Sequence, residues 1–167
     1  MPSLQIKFLA VNQISDELQS QINQLDALAF NGVNEQENLE FAAVEWASHD
    51  WMALGFVGDQ LVSQLCLLKR ELKIGESSTW VAGIGGLATA PQWQKQGFAL
   101  QLLQHSKDFM KHQMGVPFGL LICSEPMQHY YSLNGWKKVA QSLVCSTPYF
   151  TYMRYGSSAS RSGMAHW

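Results

Sequence analysis

Ile84-Gly85-Gly86-Leu87-Ala88-Thr89-Ala90-Pro91-Gln92-Trp93-Gln94-Lys95-Gln96-Gly97-Phe98-Ala99 is the stretch on which the reading of this chain turns. It starts apolar and strand-like, then stops at Ala90-Pro91, because a residue before proline is pushed out of helical geometry. Helical spacing resumes after Gly97, with Leu102, Leu103, Ser106, Phe109 and Met110 on one face. A strand over about 79–88 and a helix over Gly97–Gln113 are therefore predicted. Gly115-Val116-Pro117 breaks that helix, and Phe118–Cys123 reads as a short strand buried on both faces. Strand, helix and strand over 79–123 predict a parallel crossover.

Two anion chemistries compete for these glycines. Gly83-Ile84-Gly85-Gly86-Leu87-Ala88 formally fits the G-x-G-x-x-A dinucleotide fingerprint. That fingerprint needs a helix to open inside it, so that the helix N-terminus meets a pyrophosphate. Thr89-Ala90-Pro91 follows instead, so the fit is formal only. The alternative places the anion at the turn entering the helix, a stretch that on its own also reads as a plain strand–loop–helix junction with a glycine near the cap. Gly97 and Ala99 have little or no side chain, so the unpaired amides of the first turn can approach a pyrophosphate. Gln94 and Lys95 add donors and charge.

Outward from this segment, the pattern is a mixed sheet with helices. Leu4–Phe8 alternates like a half-buried strand. Ser15 caps an amphipathic helix over Asp16–Phe30, with Leu18, Ile22, Leu25 and Leu28 on one face. A second helix is expected at Asn38–Ala47. Trp51–Val57 and Leu61–Leu72 read as strands joined at Gly58-Asp59, and with 79–88 they form a meander. A short helix over Met127–Asn134 and strands over Trp136–Val144 and Tyr149–Arg154 complete the series. The order β-α-α-β-β-β-α-β-α-β-β is of α/β or α+β class. Residues 156–163, Gly-Ser-Ser-Ala-Ser-Arg-Ser-Gly, suggest a mobile tail.

Composition bounds the function. The chain has 167 residues, 47% hydrophobic and 14% charged, which is globular and sized for one domain. No apolar run is long enough to span a bilayer, and no basic-then-apolar leader opens the chain. Cys66, Cys123 and Cys145 are too few and too scattered for a disulfide framework or a CxxC-type metal site, so no metal is expected and a reducing, cytoplasmic setting is. Net charge is −2, and no predicted helix carries a basic stripe, so neither nucleic acid nor membrane is an expected partner. The acidic groups concentrate before residue 69 and the basic ones after it, which reads either as ordinary solvated surface or as a cation site early and an anion site late.

The segment Ile84–Ala99 resembles the CoA-binding motif of the GNAT acetyltransferase superfamily: an apolar strand, a Pro, then Q/R-x-x-G-x-G/A. Gln94, Gly97 and Ala99 stand at its three diagnostic positions. His129-Tyr130-Tyr131-Ser132-Leu133-Asn134-Gly135-Trp136 is similar to the family's late F-Y-x-x-x-G-F segment. The resemblance covers about residues 50–145. Its Gly-Ile-Gly-Gly lead-in and Gly135-Trp136 are most like the aminoglycoside 2′-N-acetyltransferase groups.

The resemblance implies the GNAT acyl-CoA N-acyltransferase fold in one domain, 1–155, with a flexible tail, 156–167. It implies acetyl-CoA as co-substrate and a small, cationic primary amine as acceptor, in a monomer or homodimer. Leu87 and Thr89 would contact the pantetheine arm. Gln94, Lys95 and the amides of Gln96, Gly97, Phe98 and Ala99 would hold the pyrophosphate, with Lys95, Lys107 or Lys111 at the 3′-phosphate. Tyr131 matches the position beside the sulfur and is the expected acid. The acceptor is expected at Glu45, Trp46, Asp50 and Trp51. The meander strand lacks the carboxylate many GNAT enzymes carry there. A water relay to Glu45, Asp50 or Glu125, or His129, or an already neutral amine stay open as routes for the proton, and the Trp167 carboxylate is a further candidate for binding the amine. The missing carboxylate also leaves a second function open, an acyl-CoA-binding module without turnover.

Overall fold

The computed structural model describes residues 2–31, 48–74, 76–139 and 161–166. The helix expected at Asn38–Ala47, with Glu45 and Trp46, lies outside these residues. So do the strand expected at Tyr149–Arg154 and most of that at Trp136–Val144.

Among the described residues seven strands form one sheet: β1 (Gln5–Ala10), β2 (Trp51–Val57), β3 (Gln60–Ile74), β4 (Ser77–Thr89), β5 (Gly119–Ser124), β6 (Lys137–Lys138) and β7 (Arg161–His166). Their spatial order is β1-β2-β3-β4-β5-β7-β6. The first four pair antiparallel. The chain then crosses over through α2 (Phe98–His112) and lays β5 parallel to β4, as the break at Pro91 and the spacing after Gly97 predict. Helix α1 (Asp16–Ala29) starts on Ser15, whose hydroxyl accepts from the Leu18 amide at 3.3 Å. Helix α3 (Glu125–Leu133) follows β5.

Each face of the sheet is covered by different helices. On one, Ile22 and Leu25 of α1 pack on Met52, Leu54, Phe56, Leu61 and Ala90. On the other, Leu102, Leu103 and Met110 of α2 join Ala53, Leu65, Leu67, Ile84, Leu121, Tyr131 and Trp136. Because both faces are covered, Met52 to Phe56 are all buried, and β2 shows a continuous apolar run rather than alternation.

The tail expectation is corrected at residues 161–166. They form β7, antiparallel to both β5 and β6. The reason is backbone satisfaction: the outer edge of β5 needs a hydrogen-bonding partner, and this segment supplies it. Its Gly and Ser content hides that role from composition. No helix among the described residues is long and apolar enough to cross a membrane.

Candidate active site

Strand β4 holds the site because it changes partners along its length. Ala82, Gly83 and Ile84 pair with Gly119, Leu120 and Leu121 of β5, and pairing stops there. Both strands continue, β4 to Thr89 and β5 to Ser124. On its other side β4 stays paired to β3, but with one extra residue: Gln64 faces Ala88 while Cys66 faces Gly85. Gly86 sits in this bulge at φ +58°. A Cβ there would meet the Cys66 sulfur at 2.9 Å, so both conformation and space require glycine. A bulge bends a strand and adds twist, and this one lies just past the last pair with β5.

The edge so exposed is backbone. The Ala90 amide donates to the Val62 carbonyl of β3 at 2.9 Å. Alternate residues of a strand address opposite edges, so Leu87 and Thr89 direct their amides into the gap beside β5. Both expected pantetheine contacts are therefore at the splay. The Thr89 hydroxyl is held by Ser63 at 2.8 Å.

The turn into α2 follows directly. Trp93 packs on buried Phe98, ring centres 6.0 Å apart, and anchors it. Lys95 (φ +61°) and Gly97 (φ +79°) are both left-handed, a conformation that costs a non-glycine residue about 1 kcal/mol or more. The first helical bond runs from the Gln101 amide to the Gly97 carbonyl at 3.0 Å. The amides of Phe98, Ala99 and Leu100 therefore lie before the start of the helical ladder, at the positive end of its dipole. Gly97 supplies no capping side chain, and a Cβ on it would meet nothing within 4 Å. Lys95, Gln96 and Gly97 are exposed. Gln94 is used differently from expectation: its amide donates to the Thr89 carbonyl at 3.1 Å, tying the turn to the strand.

Tyr131, on α3, is buried in the core with Leu121 and Cys123 of β5 and edge-on to Tyr130 and Trp136. Burial, with Cys123 and Tyr130 nearby, pushes its phenol up to about 12. Burial also pushes up the Cys123 thiol at the end of β5 and takes Cys66 to about 12, with Asp26 adding to the effect. Neither thiol is activated as a nucleophile, since activation requires a depressed value.

Four expected contacts fall elsewhere. The Lys107 ammonium donates to the Asn134 carbonyl at 3.1 Å, and Lys111 is in the last turn of α2, roughly 20 Å along the helix from Gly97 at 1.5 Å per residue. Of the three lysines only Lys95 is at the turn. Asp50 accepts from the Lys69 amide at 2.7 Å and pairs with Arg70 at 2.8 Å. Lys69 is level with Ala82 of β4, so Asp50 is roughly 15 Å along the sheet from Leu87. Trp51 lies edge-on to Phe109 at 6.1 Å and lines a cavity of about 250 Å³ with Phe8 and Gln113, at the far end of α2 from the turn.

Residues 10–139 match the family model described as the acetyltransferase (GNAT) domain. The chain belongs to the GNAT acetyltransferase family. No curated protein sequence matches it. Among solved structures, Escherichia coli ElaA is similar at 17% identity, covering 99% of this chain and 100% of that one, with a TM-score of 0.68. An acyl-CoA N-acyltransferase from Pseudomonas aeruginosa is similar at 18% identity, covering 99% and 100%, with a TM-score of 0.66. A GNAT family acetyltransferase from Brucella melitensis, solved in complex with acetyl-CoA, is similar at 16% identity, covering 82% and 84%, with a TM-score of 0.58. At these identities the likeness shows the GNAT fold.

Proposed function

We propose that this protein transfers an acetyl group from acetyl-CoA to a primary amine of a small, cationic acceptor, by direct attack of the amine on the thioester. The observation that carries this reading is the end of β4–β5 pairing at Ile84–Leu121 while both strands run on, beside a helix N-terminus with unladdered amides. The gap offers strand hydrogen bonds to the pantetheine arm at Leu87 and Thr89. The turn offers the amides of Gly97, Phe98 and Ala99, and the exposed Lys95, to the phosphates.

Three tasks remain for the chain. The amine must arrive unprotonated, although free amines titrate near pH 10. The Leu87 amide faces the gap and stabilises the oxyanion of the tetrahedral intermediate. Tyr131 then protonates the leaving sulfur. A phenol near 12 stays protonated through the neutral range.

The test is release of CoA thiol, followed with a chromogenic thiol reagent, across amines that include aminoglycosides and polyamines. Saturable thiol release with at least one amine is expected. Tight CoA binding with no release on any of them would replace this reading with that of a non-catalytic acyl-CoA-binding module.

A further inference from the structure

The α1 face of the sheet, opposite α2, carries a polar group that the donor site does not use. Asp26 of α1 is half-buried and accepts a hydrogen bond from the Gln64 side-chain amide at 2.6 Å. Gln64 is only 1% exposed, and among the described residues its carbonyl oxygen is buried without a hydrogen-bond partner. A buried amide oxygen left unpaired costs about 1–3 kcal/mol, so its persistence points to a ligand that donates to it.

Position gives the ligand's place. Gln64 faces Ala88 across the β3–β4 ladder, and Cys66, on the same face of β3, faces Gly85. The Cys66 sulfur touches the point where a Gly86 side chain would begin. Gly85 and Gly86 are exposed, and a Cβ on Gly85 would meet nothing within 4 Å. The bulge next to Leu87 is thus bare at Gly85-Gly86, with Cys66 against Gly86, Gln64 two residues before Cys66 on the same strand face, and Asp26 bonded to Gln64. Among the described residues the other titratable groups facing Asp26 are His49, whose charge favours the carboxylate, and Cys66. Burial outweighs the Gln64 hydrogen bond and the His49 charge and moves the Asp26 carboxyl upward.

We infer that Asp26 and Gln64 hold the acceptor's amine, with Asp26 as the proton acceptor that the meander strand lacks. This rests on the proposed acetyl transfer and adds its missing component. An ammonium entering over Gly85-Gly86 donates to the Asp26 carboxylate and to the Gln64 carbonyl oxygen. It passes one proton to Asp26, and the neutral nitrogen attacks the thioester carbon. The C–N bond forms, the C–S bond breaks, and the sulfur takes a proton from Tyr131. The second proton lost by nitrogen returns through solvent to the Tyr131 phenolate, and the proton on Asp26 leaves to water.

Asp26→Asn separates this role from a structural one. A carboxyl raised in the fold above its unfolded value of about 3.9 stabilises only while protonated, and that stabilisation is lost as pH rises through the folded value. Asparagine copies the protonated form, keeps the bond from Gln64, and offers its own N–H to the unpaired oxygen. At pH 7.5 the variant should therefore melt at or above the wild-type temperature. Its kcat/KM for amines should fall by about 100-fold or more, with CoA affinity unchanged and the acidic limb of the rate profile altered. Wild-type turnover in this variant overturns the proposal, as does a lowered melting temperature accompanied by a matching loss of CoA binding.

A measurement without turnover completes the test. The Gln64 side-chain amide resonance, assigned by its disappearance in Gln64→Met, is followed while methylamine, spermidine, kanamycin and lysine amide are added at millimolar concentration to the CoA-bound protein. A shift with any of them supports the site, even if none is acetylated and the transfer reading fails. Turnover of an amine that leaves Gln64 unmoved, or no shift with all four, overturns the site.

Discussion

The two faces of the end of β4 are built by different means. On the proposed donor side the groups on offer are backbone: the edge at Leu87 and Thr89, and the amides entering α2 at Gly97–Ala99. These belong to one continuous run of thirteen residues, and side chains matter mainly by being small. On the acceptor side the contacts are side chains brought together from α1, β3 and the bulge: Asp26, Gln64, Cys66 and the space over Gly85-Gly86. A backbone site survives wide sequence change as long as the turn geometry holds. A side-chain site can be altered at one position without disturbing the fold, which is how a shared donor scaffold comes to serve different acceptors.

The comparison breaks most sharply at Gly97. The position is open in space, so Gly97→Glu adds only the strain of a left-handed side chain to the fold, about 1–2 kcal/mol. Its charge, however, sits against the phosphate cradle. Like charges about 4 Å apart at a dielectric near 20 repel by about 4 kcal/mol, so CoA affinity should fall by roughly a thousandfold in calorimetric titration. Near-normal CoA affinity in a folded variant would show that the phosphates bind elsewhere.

Tyr131 tests whether the donor side also contributes a side chain to the chemistry. Tyr131→Phe should lower kcat by about 10- to 100-fold and leave CoA affinity within twofold. Because the phenol is pushed up to about 12, the wild-type rate should show no alkaline loss from this group below about pH 10. Equal kcat in the two proteins would remove Tyr131 from proton transfer and leave it as packing for Trp136.

Gly86 is where the two sides share a residue. Alanine there must hold φ near +58° and displace the Cys66 sulfur, so Gly86→Ala should lower the unfolding free energy by about 2 kcal/mol in denaturant titration. Adding Cys66→Ala should return the steric part and leave about 1 kcal/mol of strain. No recovery in the double variant would mean that the bulge, rather than the sulfur contact, sets the cost.

This division also explains what the sequence made legible. The crossover, the meander and the cradle rest on local patterns: Pro91 ending a strand, helical spacing after Gly97, apolar runs at 51–57 and 119–123. Each lies within a few turns of chain, where periodicity and turn chemistry act. Asp26 and Gln64 are 38 residues apart, and nothing in the spacing of a helix residue and a strand residue announces their hydrogen bond. The one available signal was a carboxylate on α1 next to the core positions Ile22 and Leu25, which an amphipathic pattern assigns to the boundary. β7 was missed for the related reason that composition describes a free segment and not the open edge of β5 it pairs with.

The smallest expected effect belongs to Asp50, and it sharpens the comparison by exclusion. The sequence placed Asp50 among the acceptor contacts because it lies in the acidic first part of the chain beside Trp51. In the fold its carboxylate holds the Lys69 amide and Arg70, whose other nitrogen donates to the Ser48 carbonyl at 2.7 Å. These bonds fasten the entry of β2 onto β3, and the pair is partly solvated, so its net contribution should be modest. Asp50→Ala should cost about 1 kcal/mol of stability. Its kcat/KM for amines should stay within about twofold of wild type, against the loss of about 100-fold expected for Asp26→Asn. If Asp50→Ala instead raises the amine KM tenfold with stability unchanged, the acceptor extends along β2 toward Trp51, and the α1 face holds only part of it.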